Sequence, residues 1–97
     1  MLGNIQKSSS GLNIFDIFDD DLYINKIIDI LKKKYDVKLS KRFGNLGFEE
    51  FQDIIINNII INISWEQISG CSIMASDLNG NELIEEIANY LEQQTLE

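Results

Sequence analysis

The sequence predicts an α+β domain in which a mainly antiparallel sheet carries two helices on one face, in two layers. Three patterns lead to that class. Two segments space their apolar residues at helical intervals, five others alternate at strand intervals, and an Asn-Asn pair sits where two of those strands need a tight turn. The expected order is β-α-β-β-β-β-α, with no segment repeating another, in a single domain over residues 12–95.

Residues 1–11 (MLGNIQKSSSG) show no periodicity and read as a flexible lead-in. Residues 12–18 are apolar and partly alternating, a first strand that stops at Asp19-Asp20-Asp21. In the helix that follows, Ile24, Ile27, Ile28, Leu31 and Tyr35 fall on one stripe. The aspartates at its start and Lys32-Lys33-Lys34 at its end both suit the helix dipole. Residues 36–43 alternate as a second strand, with Val37, Leu39, Lys41 and Phe43 on one side, and Gly44-Asn45-Leu46-Gly47 turns the chain.

Residues 48–56 and 59–65 form a hairpin about Asn57-Asn58, because Asn tolerates the positive φ of a type I′ turn. That register sets Ile56 against Ile59 and Ile54 against Ile61, with Ile63 and Trp65 on the same, core-facing side. The back of the hairpin then carries Asp53, Asn62, Ser64 and Glu66 together with Phe51, Ile55 and Ile60. A turn at 67–70 leads to a fifth strand, 71–76. In the last helix Leu83, Ile84, Ile87, Ala88 and Leu91 make the buried stripe, while Glu82, Glu85, Glu86 and Glu92 line the outside. Asn79 with Glu82 reads as a capping box, flanked by Leu78 and Leu83 as its hydrophobic staple. Leu96-Glu97 read as a cloning scar after Thr95.

Charge is divided unevenly along the 97 residues. All 8 Lys and Arg lie in residues 1–42, whereas residues 43–97 carry acids and no base, for a net charge of −8 overall. A half-chain without a cation projects a negative field, which favours a basic protein partner and disfavours nucleic acid and anionic membranes. The basic block Lys32, Lys33, Lys34, Lys38, Lys41 and Arg42 is read as helix-end charge and as internal balance for the acidic half. The lone Cys71 cannot form an internal disulfide, and no leader-like or membrane-length apolar run is present, so the expected compartment is the cytoplasm.

No pattern for catalysis emerges. The chain has no His, and its single Cys has no base to activate it. Asp19-Asp20-Asp21 is explained by helix capping. Placing Gly80 at the invariant glycine of a calcium loop puts Ala75 where the first aspartate ligand belongs. Gly44-Asn45-Leu46-Gly47 lacks the lysine of a phosphate loop. The expectation is a chain that is not an enzyme and that uses no metal or cofactor.

The layout of residues 51–91 (strand, Asn-Asn turn, Ile-rich strand with Trp65, Gly70, strand, residues 77–80, acidic amphipathic helix) resembles that of several short bacterial domains of uncharacterised role. In size and acidity it also resembles immunity proteins that neutralise bacterial toxins. That resemblance implies binding by charge and occlusion of the partner's working surface. Immunity proteins share no catalytic motif, so no residue inherits a role from them.

The leading expectation is therefore a small acidic module that docks a basic protein. Its candidate contacts are Glu49, Glu50, Asp53, Glu66, Glu82, Glu85 and Glu86, with Phe51, Ile55 and Ile60 as apolar anchors. The alternatives are a homo-oligomeric module dimerising through the Phe51, Ile55 and Ile60 patch or an edge strand, and a phage anti-defence protein with nucleic-acid-like charge.

Overall fold

The computed structural model describes residues 3–17, 23–45 and 48–94, including only the backbone of Asn45. Among the described residues are six strands and two α-helices: β1 (Gly3–Lys7), β2 (Asn13–Ile17), α1 (Ile24–Leu31), β3 (Lys38–Asn45), β4 (Glu49–Ile56), β5 (Ile59–Glu66), β6 (Gly70–Ala75) and α2 (Asn81–Glu92). They form one antiparallel sheet in the order β1-β2-β6-β5-β4-β3. The fold is α+β with both helices on one face, as the two apolar stripes predict.

Alternation decides what each face does. Phe15 and Ile17 on β2, Ile54 and Ile56 on β4, Ile61 and Ile63 on β5, and Cys71, Ile73 and Ala75 on β6 all point to the helices. There they meet Ile24, Ile27, Ile28, Ile30 and Leu31 of α1 and Leu83, Ile84, Ile87, Ala88 and Leu91 of α2. α2 lies over β2 and β6, and α1 reaches β5. Each fully buried Ile or Leu contributes about 1.5–3 kcal/mol, so this single cluster is the main source of stability. Trp65 is half-buried at its margin, with its ring against Tyr23 at a centroid distance of 5.7 Å.

The Asn57-Asn58 turn forms as its residue types require. Both adopt positive φ, at 53° and 64°, and the register is Ile56 to Ile59 and Ile54 to Ile61. A two-residue loop of this hand matches the twist of the strands it joins.

Four sequence expectations are corrected. The lead-in is not a flexible tail over residues 3–7. Those residues form β1, with Ile5 opposite Phe15 and Gly3 opposite Ile17. The Ser-Gly run is the hairpin turn, closed by the Ser8 amide donating to the Leu12 carbonyl at 2.9 Å and by Gly11 at φ 81°. A Cβ on Gly3 would collide with the Phe15 ring, so glycine lets this edge close down on the core. The order thus becomes β-β-α-β-β-β-β-α.

The second correction concerns β3. Its register shifts by one residue between Leu39 and Arg42, so Ser40 and Lys41 together stand against Asp53. A bulge of this kind inverts every side chain beyond it. Leu39 and Arg42 share the helix side, while Phe43 turns to the back. The buried Gln52 side chain supports the distortion by donating to the Ser40 carbonyl at 3.2 Å and the Lys41 carbonyl at 3.4 Å.

The third is the start of the last helix. Asp77, not Asn79, is the capping residue, accepting from the Asn79 amide at 3.0 Å ahead of a 3-10 turn over Leu78–Gly80. Glu82 sits in the first turn of α2, Leu83 is buried, and Leu78 is 66% exposed. The entry of α2 is held instead by Asn81. Its Oδ1 accepts from the Asn13 amide at 2.7 Å, its carbonyl accepts from Asn13 Nδ2 at 2.9 Å, and its Nδ2 donates to the Gly11 carbonyl at 2.9 Å.

The fourth concerns Gly44 and Asn45, which belong to β3 rather than to a turn. Gly44, at φ 126°, leaves no room for a Cβ against the Glu49 carbonyl. Leu46, Gly47, Asp19-Asp20-Asp21 and Leu96-Glu97 lie outside the described residues. Among those described, no helix is long and apolar enough to cross a membrane.

Candidate functional site

The face of the sheet turned away from the helices is built of cross-strand rows, because directly opposed residues in an antiparallel pair share a side. One row runs from Phe43 through Phe51, Ser64 and Ser72 to Asp16. The next joins Asp53, Asn62, Met74 and Ile14. Towards the Asn57-Asn58 turn, Ile60 faces Ile55 and Ile55 faces Lys38. At the other end Glu49 faces Glu66.

Polar groups on this face are tied sideways. Asn62 Nδ2 donates to Asp53 at 2.9 Å, the Ser64 and Ser72 hydroxyls lie 2.7 Å apart, and Gln6 Nε2 donates to Asp16. These bonds fix the carboxylates in place without neutralising them. Apolar groups alternate with them. Phe43 and Phe51 stack at 5.1 Å with their planes 17° apart, and Ile55 and Met74 are half-buried. Phe43 and Ile60 remain 54% and 48% exposed. Outside the β3 bulge, the charged strand residues registered on this face are Asp16, Glu49, Asp53, Glu66 and Lys38. The face is thus apolar in patches and acidic in balance.

The ten residues singled out from the sequence do not form one surface. Glu49, Phe51, Asp53, Ile55, Ile60 and Glu66 share the helix-free face. Glu50 has the opposite parity. Its carboxylate accepts from Arg42 at 3.1 Å, and Arg42 also donates to Asn25 of α1 at 2.8 Å. The pair pins the β3 edge to the helix layer.

Glu82, Glu85 and Glu86 lie on the outer side of α2, across the molecule from the sheet back. Glu86 has structural work to do. It accepts from the Tyr35 hydroxyl at 2.9 Å and lies 4.0 Å from the Lys34 ammonium, which stands over the Tyr35 and Tyr90 rings at 5.4 and 5.1 Å. Burial, and then the bond to Glu86, push the Tyr35 phenol above its ordinary range. Part of the basic block does balance the acidic half, through Arg42 and Lys34.

Sequence reasoning missed Phe43, Phe48 and Ile68. Phe43 is hidden by the bulge. Phe48 opens the strand expected from the sequence, whereas β4 starts at Glu49 and leaves it 69% exposed; Ile68 stands in the 67–70 turn and is 97% exposed. For Ile68, a large apolar residue in a turn is the available signal.

No buried side-chain nitrogen or oxygen among the described residues lacks a hydrogen-bond partner. Nor, among them, do three or more His, Cys, Asp or Glu side chains group to hold a metal ion. No protein-family model, curated protein or solved structure matches this chain, and the site rests on its own residues alone.

Proposed function

We propose that this chain is a protein-binding module whose helix-free sheet face docks a basic protein. The observation that carries the reading is the coincidence, on one face, of exposed or half-buried Phe43, Phe51, Ile55 and Ile60 with Glu49, Asp53 and Glu66. Acids alone would serve solubility. Apolar side chains alone would favour a second copy of the same face, but pairing two such faces would also bring like carboxylates together. A basic partner satisfies both components: its charge is steered in by the field, and burial of Phe51 and the isoleucines then slows its release. The action is occupancy of the partner's surface, with no chemical step, and neutralisation of a bacterial toxin is its most concrete form.

Two charge-matched variants test this. Phe51→Lys/Ile60→Lys and Glu82→Gln/Glu85→Gln change the net charge equally but on opposite sides of the molecule. In capture from a lysate of the source cells, wild type and the helix variant are expected to retain the same basic protein at low salt and release it at high salt. The sheet variant is expected to lose it. Equal loss in both variants would reduce the effect to overall charge, and retention by the sheet variant would move the site elsewhere.

A further inference from the structure

At the open end of the β4–β5 hairpin, Phe48, Glu49, Glu66, Gln67 and Ile68 line a recess of about 220 Å³. Two features of its walls are unfavourable in the free protein. Glu49 and Glu66 are directly opposed in the ladder, where Cβ atoms stand about 5 Å apart and like charges repel. Ile68 is almost wholly in water, and Phe48 is largely so. The connection is nevertheless anchored, since the Gln67 amide donates to the Phe48 carbonyl at 2.9 Å and the Ser69 hydroxyl donates to Glu66 at 3.2 Å. The ion pairs among the described residues, Lys34 with Glu86 and Arg42 with Glu50, leave this pair of carboxylates without a cation.

Resting on the docking function proposed above, we infer that this recess receives an arginine side chain of the basic partner. A guanidinium presents donors along more than one edge, so one group can bridge carboxylates that come from two strands. Its weakly hydrated plane suits the Phe48 ring, and its methylene stem suits Ile68. One occupant therefore removes the repulsion and covers the apolar walls together. A compact, strongly hydrated lysine ammonium would answer the charge but not the flat apolar wall. The recess is thus a specificity element at one end of the docking face.

The test is amide-resolved NMR titration of the intact chain with acetyl-Leu-Arg-Leu-amide, alongside the same peptide carrying lysine or uncharged citrulline. The arginine peptide is expected to shift residues 48–49 and 66–69 and to bind more tightly than the lysine peptide, with citrulline silent. Glu49→Gln/Glu66→Gln is expected to weaken binding by about tenfold, and Ile68→Ser to weaken it separately. Shifts spread equally over the α2 glutamates, or unaltered binding by the double glutamine variant, would overturn the inference. The two levels fail separately. Capture of a basic protein through Phe51 and Ile60 without any arginine response leaves the docking face standing and removes the recess. An arginine response without capture removes the docking function instead.

Discussion

The two faces of the β4–β5 hairpin share a backbone and differ in everything else. On one, Ile54, Ile56, Ile61 and Ile63 are sealed under the helices. On the other, Phe51, Asp53, Ile55, Ile60 and Asn62 meet solvent among fixed carboxylates. Neighbouring residues such as Ile60 and Ile61 are the same side chain given opposite tasks by the pleat. The lesson is that apolar content alone does not locate a core here, because only the helix-covered side has partners that exclude water.

The largest expected contrast breaks that pair. Ile61→Ala should cost about 2–5 kcal/mol, by transfer and cavity terms together. Ile60→Ala should cost well under about 1 kcal/mol, because its side chain already meets water. Chemical denaturation of both variants reads the difference directly, and equal losses would mean that the back face is covered.

Next in size is the tie between the start of α2 and β2. Asn81→Ala removes the acceptor of the buried Asn13 amide and the donor to Gly11, and should cost about 1–3 kcal/mol. Thermal melting checks this. An unchanged midpoint would show that other contacts hold the entry of α2.

A smaller change of opposite sign belongs to the helix-free face. Glu66→Gln relieves its opposition to Glu49 and should stabilise the free chain by about 0.2–1 kcal/mol, less in high salt. Among the acids, Glu86→Gln should do the reverse, because it weakens the contact with Lys34.

The smallest effect appears only in alkali. The Tyr35 phenol has its pKa raised in the folded chain, so its neutral form is favoured by folding. Its contribution is complete below the unfolded-chain value, about 10. It declines as pH rises from there towards the higher folded value, when the unfolded chain has released a proton that the native one still holds. Tyr35→Phe should remove that component of alkaline destabilisation, measured as stability against pH from neutral to strongly basic conditions.

How much of this is legible in the sequence follows from which signals are local. The stripe of Ile24, Ile27, Ile28 and Leu31 and the Asn57-Asn58 turn report their own geometry, so the buried face of α1 and the central hairpin read correctly, although α1 ends at Leu31 and leaves Tyr35, expected on its stripe, in the turn beyond. β1 does not. Gly-Asn-Ile-Gln-Lys has one large apolar residue, and only Phe15 and Ile17 across the ladder make it a strand. The β3 bulge is equally silent, since it depends on Gln52 reaching two carbonyls from the neighbouring strand. That one inserted residue moved Phe43 onto the helix-free face. The candidate acids divided by position: Glu50 has the helix-side parity of β4, and Glu82, Glu85 and Glu86 lie on α2, while Glu50 and Glu86 also meet cations at Arg42 and Lys34.

The central claim is that one face binds, and carboxyl footprinting tests it most directly. The free chain and its complex with the captured basic protein are labelled with a carbodiimide and an amine, and each modified residue is read by mass spectrometry. The account predicts that Glu49, Asp53 and Glu66 lose labelling in the complex while Glu82 and Glu85 keep theirs. Protection of the α2 glutamates with continued labelling at Glu49 and Glu66 would contradict it.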